Sequence, residues 1–235
     1  MRQMILCSAD TELDFYINGV FSYELFGQTF WITTTHLSML AITVALIAFA
    51  FVVNRTMKRA AEVPTGLQNA IELVVEFLQG QVDANMKRGN GFFNYVGTVA
   101  FFVLISNLSG LIGLRPPTAD FGVTFAIGLT TFFIIQITGI RYKKLGHFKA
   151  LFEPVFLFFP INLVGELANP ISLSMRLFAN LLAGTIIMAL WYGLLPVFAQ
   201  IGIPSFLHAY LDVFSGCIQT YVLCMLTMVY IDDKM

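Results

Sequence analysis

The sequence predicts an all-α, polytopic membrane protein, and three observations carry that expectation. Of 235 residues, 57% are hydrophobic and 11% are charged, whereas a soluble domain carries about 25% charged residues. Mean hydropathy is +0.78. Apolar runs recur along the chain that are long enough, at about 1.5 Å per residue, to cross about 30 Å of hydrocarbon. The net charge of −1 leaves no footprint for nucleic acid. No Gly-rich phosphate loop, HExxH or CxxC occurs, so no cofactor, no metal and no catalytic site are expected. Cys217 and Cys224 sit in an apolar segment and read as structural thiols, while the lead before Cys7 is too short for a cleavable signal.

A polar stretch with Asp10, Glu12, Asp14 and Glu24 leads into a first span at 34–53, ended by "NRTMKR". Segment 63–86 differs. Leu67, Ile71, Val74, Leu78 and Val82 recur at helical spacing, with Gln68, Glu72, Glu76, Gln79 and Asp83 on the other side. Two distinct faces predict an amphipathic helix lying on the membrane or against protein. Spans follow at 92–114 and 121–140, separated by the turn "RPPTAD". From 151 to 194 the apolar character barely breaks. A helix over 155–193 runs roughly 58 Å, so it must tilt, bend at Pro160 or Pro170, or divide. A last apolar segment covers 205–231. The whole is one membrane domain of about five embedded helices plus the amphipathic one.

Charge predicts the orientation. With the N-terminus outside, Arg55, Lys58, Arg59, Lys87, Arg88, Arg141, Lys143, Lys144, Lys149 and Lys234 all fall inside. Arg2 and Arg115 fall outside, and Arg176 lies within the membrane.

Two apolar helices each reserve one seam for polar groups. Asn162, Glu166, Asn169, Leu173, Arg176, Asn180 and Gly184 step by three or four residues along one face. His208, Asp212, Ser215 and Gln219 repeat the design in the last segment. An arginine at mid-bilayer costs about 2.5–3.5 kcal/mol on insertion scales. Two readings stand at this point. Arg176 pairs with Glu166 or Asp212 to hold two helices together, or the seams line a water-filled path or ion relay. His36 and His147 read as interfacial, and the Phe-rich runs as packing or lipid-facing residues.

The stretch "ANPISLSMRLFANLLAGTII" closely resembles the signature of subunit a of F-type ATP synthases, S-L-x-x-R-L-F-x-N-x-x-A-G. "IQTYVLCMLTMVYIDD" resembles that family's last helix, and "PTGLQNAIELVVEF" and "RPPTAD" fall in the family's order. The resemblance implies Arg176 as the stator arginine, Asn180 as its neighbour one turn on, Gln219 as the facing glutamine, and Glu166 as an acid found in many bacterial members. The Glu or His often found nine residues after the arginine is Thr185 here, and the His often found seven before the glutamine is Asp212.

The resemblance further implies a non-catalytic, ion-conducting stator subunit whose last two helices form a long tilted hairpin against a ring of c subunits. Its partners would include peripheral-stalk b subunits, the rest of the complex and the bilayer. Glu166, Asp212 and His208 would relay protons on the outer side, with Asn162, Asn169 and Ser215 as polar lining and Thr185 near them. The carried ion is H+ or Na+. The expected location is a bacterial plasma membrane, N-terminus outside and C-terminus cytoplasmic. Two rival readings are a self-contained channel or transporter, for which inverted repeats are wanting, and an intramembrane protease, for which a nucleophile–base set is wanting.

Overall fold

The computed structural model describes residues 19–25, 28–58, 66–87, 91–144, 146, 156–194 and 203–235. The stretch with Asp10, Glu12 and Asp14 lies outside the described residues, as do Arg2, Cys7, Arg59, Arg88, His147, Lys149 and the expected helix beginnings at 63 and 151. Five helices are long and apolar enough to cross a membrane. The chain is a multi-pass, helical membrane protein.

The sequence reading did not foresee what precedes the first span. Strands β1 (Gly19–Leu25) and β2 (Gln28–Thr33) pair antiparallel, and α1 (Thr34–Met57) follows directly. The amphipathic helix α2 spans Leu67–Asn85 and is not among the five spanning candidates. Helix α3 (Phe93–Leu108) continues through a 3-10 turn, Ser109–Ile112, and ends at Gly113 with φ 78°. That left-handed conformation favours glycine. After a second 3-10 turn, Pro117–Ala119, Asp120 caps α4 (Phe121–Lys143) by accepting the Gly122 N–H at 2.9 Å.

The long apolar reach is one helix, α5 (Phe159–Leu194), of 36 residues with Pro170 inside it. At about 54 Å it far exceeds the hydrocarbon thickness of a bilayer. A short helix α6 (Ile203–His208) passes into a π-helical segment, Ala209–Phe214, and then into α7 (Ser215–Lys234).

Helix α5 packs most extensively on α4, and α7 on α3 and α4. Small residues make the first of these interfaces close. Thr124, Gly128, Thr131, Ile135 and Thr138 form the buried face of α4, and the hydroxyls of Thr124, Thr131 and Thr138 are satisfied by carbonyls of their own helix. With few polar atoms left over, backbones approach closely, as apolar surroundings require. A Cβ at Gly128 would lie 2.4 Å from Ser174 Oγ and 2.7 Å from the Pro170 carbonyl oxygen. Ser174 Oγ donates to that same carbonyl at 2.6 Å. Two apolar clusters fill the interior. One joins Val82, Met86, Val96, Ile135, Met228 and Ile231, and the other joins Val103, Leu173, Leu177 and Leu223.

Gly128→Ala should therefore overpack the α4–α5 contact by about 1–3 kcal/mol. Gly97→Ala, where nothing lies within 4 Å of the added Cβ, should be silent. The thermal midpoints of the two detergent-solubilised variants would separate these outcomes.

Candidate ion-translocation site

The polar seams predicted on the two helices meet. Ser215 Oγ donates to Asn180 Oδ1 at 2.7 Å. The same antiparallel register brings Leu211 beside Gly184 and joins Lys234 to Glu166. One turn from the Ser215–Asn180 bond on each helix stand Arg176 and Gln219, at the same level. Beneath them Leu173, Leu177 and Leu223 close into one cluster with Val103.

Arg176 is exposed on the surface of α5. Around it that surface is apolar, with Ile171, Met175, Leu182 and Ile186 also exposed. No hydrogen bond or ion pair joins its guanidinium to any described residue. Pairing with Glu166 or Asp212, one of the two readings the sequence allowed, is excluded. Each acid already has its own basic partner. Lys234 Nζ binds Glu166 Oε1, and Gln136 Nε2 donates to Glu166 Oε2. His208 Nδ1 and Asp212 Oδ2 are 2.6 Å apart.

The acids also lie at opposite ends of the bundle, which corrects the expected grouping. Glu166 sits at the Lys234 end, with Asn162 and Asn169 half-buried near it on α5. Asp212 and His208 sit at the other end, beyond the Ser215–Asn180 bond. One relay on one side cannot use both carboxylates, because about 15 Å of helix separates Glu166 from Arg176 alone. Sequence spacing placed both acids on seams. It could not say which way each seam ran relative to the other.

At the Asp212 end a cleft of about 760 Å³ opens between the helices. Thr185, His208 and Asp212 line it, together with Asn107, Arg115 and Asp120. Thr185 and Asp212 thus line the same cleft, although their polar groups come from different helices. Asp212 belongs to the π-helical segment, an irregularity common at functional sites because it redirects side chains within a helix.

Two amides on the seams are strained electrostatically. Asn180 Nδ2 and Gln219 Nε2 are buried and have no hydrogen-bond partner among the described residues. Each such donor costs about 1–3 kcal/mol, so this seam is not arranged for stability alone. Sequence reasoning missed three contributors. Asn107 is 2% exposed; it accepts from Thr118 Oγ1 at 2.9 Å and donates to the Gly216 carbonyl at 3.3 Å. Gln136 and Lys234 both bind Glu166. Asn107 and Gln136 are polar residues inside apolar spans, a signal that was legible. Lys234 follows the last apolar segment, where spacing alone gives no partner.

The family described as ATP synthase A chain matches residues 36–232. ATP synthase subunit a, sodium ion specific, of Propionigenium modestum is 39% identical over 197 residues, covering 75% of this chain and 66% of that protein. ATP synthase subunit a 1 of Syntrophotalea carbinolica is 36% identical over 215 residues, 88% of this chain and 86% of that protein. ATP synthase subunit a of a Sulfurihydrogenibium species is 36% identical over 199 residues, 82% and 93% of the respective chains.

In a chain with Cys217 replaced by Ser, Thr185→Cys should react with a charged, water-soluble thiol reagent. Ser174→Cys, at a position 0% exposed, should stay inert under the same conditions. Labelling followed by mass spectrometry reads both.

Proposed function

This chain belongs to the ATP synthase A chain family, and from that premise we propose that Arg176 is the fixed cation past which carboxylates of a separate rotor ring move. The protein is an ion-translocating subunit of the ATP synthase, not a catalytic one. The observation that carries the reading of Arg176 is the pairing pattern. Among the described residues both seam acids have a basic partner within this chain, and the guanidinium between them has none on an apolar surface.

A neutral, protonated carboxyl can face lipid, whereas an ionised one pays several kcal/mol for desolvation. A rotor carboxylate reaching Arg176 is stabilised as an anion and releases its ion there. Leaving that position, it must take up an ion before it re-enters lipid. Arginine suits the task because its charge persists when desolvated, whereas a buried lysine can lose its proton. The fixed charge also repels cations, which closes a direct leak between the two sides.

In this reading the cleft with Thr185, His208 and Asp212 forms one half-path. The Glu166 end, with Asn162 and Asn169, forms the other. Asn180, Gln219 and Ser215 hold the polar seam beside the arginine. We read the c subunits as the rotor ring, the b subunits as the peripheral stalk, and the location as a bacterial plasma membrane. The excess of Lys and Arg at the Lys234 end supports a cytoplasmic placement of that end. A membrane potential then supplies about 2.3 kcal/mol per charge per 100 mV to drive the ring. The ion in this reading is H+. Sodium is the second reading, favoured by the printed name of the Propionigenium modestum relative.

Inverted membrane vesicles carrying the assembled complex test the proposal. Arg176→Ala should abolish ATP-driven ion uptake while ATP hydrolysis persists, and Arg176→Lys should pump more weakly than the parent. Normal uptake in Arg176→Ala would reduce the arginine to a structural cation. Collapse of uptake by a protonophore or by a sodium ionophore identifies the ion.

A further inference from the structure

The Lys234 end of the bundle holds an arrangement that the roles above leave unused. The last turn of α7 is tied to three elements. The Lys87 N–H donates to Asp232 Oδ1 at 2.9 Å, Lys143 Nζ donates to the Asp233 carbonyl at 2.6 Å, and Lys234 Nζ binds Glu166. The first two contacts already fasten this end of α7, to the α2–α3 connection and to α4. The third differs in kind. It joins two full charges whose side chains are only 18% and 17% exposed, and it reaches a residue on the Arg176 seam.

We infer that Lys234 is a positioning residue for ion passage, holding the Glu166 carboxylate as half of a charge pair on the seam that leads to Arg176. This rests on the proposed role of Arg176. Gln136 also grips Glu166, but a neutral amide cannot balance a carboxylate in apolar surroundings. Stability alone does not account for the pair, since replacing both partners of a buried ion pair by apolar groups is often neutral or favourable. What the pair supplies is an anion fixed in place at the mouth of the path. Among the described residues, other charged groups on elements packed at this end include Asp83 on α2, Lys87 before α3, Arg141, Lys143 and Lys144 at the end of α4, and Asp232 and Asp233 on α7. Four of these, Lys87, Asp232, Lys143 and Asp233, make the two contacts given above, and none of the named groups is ion-paired to Glu166.

The test uses the assembled complex in inverted vesicles, where in our reading the Lys234 end faces the bath. Uptake is measured against bath pH and divided by the rate of ATP hydrolysis. Removing a neighbouring cation makes a carboxylate easier to protonate. In Lys234→Gln the acid limb of the normalised profile should move to higher pH by about one unit. Lys234→Arg should restore the parent profile. In a Glu166→Gln background, Lys234→Gln should move nothing further. A uniform loss at every pH, or no change, would reduce Lys234 to a packing contact and overturn the inference.

If Lys234→Gln does not assemble, Lys234→His gives the same information. Its cation is lost as the bath is taken through neutrality, and normalised uptake must respond over that range, or the inference falls. Arg176→Ala in parallel vesicles keeps the two ideas apart. Normal pumping there sinks the stator reading itself. Failure of the pH shift beside a dead Arg176→Ala sinks only the role of Lys234.

Discussion

The structure is organised around a guanidinium that has no anionic partner among the described residues. Arg176 cannot lose its proton in a protein, and within a bilayer its burial is costly unless something neutralises it. Its own helix supplies no anion, since the positions three and four residues away are Ser172, Leu173, Ala179 and Asn180. The neighbouring helix supplies none either, because Asp212 is held by His208. A protein selected only for stability would have placed an apolar residue there. In the proposed function a negative group arrives from outside the chain, and the charge then favours the ionised form of any carboxyl that comes near.

Such a charge is useful only if it stays still, because electrostatic energy depends on distance and on the local dielectric. The packing beneath it serves that end. Gly128 lets α4 and α5 approach until their backbones nearly touch at Pro170, two turns before the arginine. Leu173 and Leu177, 2% and 1% exposed, anchor the turn that carries it. Threonine hydroxyls on α4 turn back onto their own helix, so the interface gains close contact without stranding polar groups.

The same cluster separates two polar ends. Toward Asp212 the helices part into a cleft, helped by a π-helical segment. Toward Glu166 they are cross-tied by charge. Between them lies a dry layer of Val103, Leu173, Leu177 and Leu223. In the proposed function water hydrates each end, while the middle offers an ion only the passing surface of another protein. That arrangement explains why the unsatisfied amides of Asn180 and Gln219 occur at this level. They stand where the seam passes from hydrated to dry.

Much of this was legible in the residue order. Apolar runs of bilayer length announced the spans, and the steps of three and four that align Asn162 to Gly184 announced a polar face. Local periodicity determines these features, and periodicity needs no partner. The pairing of charges could not be read the same way. Whether Glu166 answers Arg176, Asp212 or Lys234 depends on the register between antiparallel helices, which Gly128, Pro170 and the Ser215–Asn180 bond set together. The hairpin before α1 was likewise hidden, because short strands leave a weak pattern beside long apolar spans. Residue order alone was enough to show which residues share a face and that Arg176 falls within an apolar span. That this cation has no partner among the described residues emerged from the packing, because ion pairing requires contact within a few ångströms.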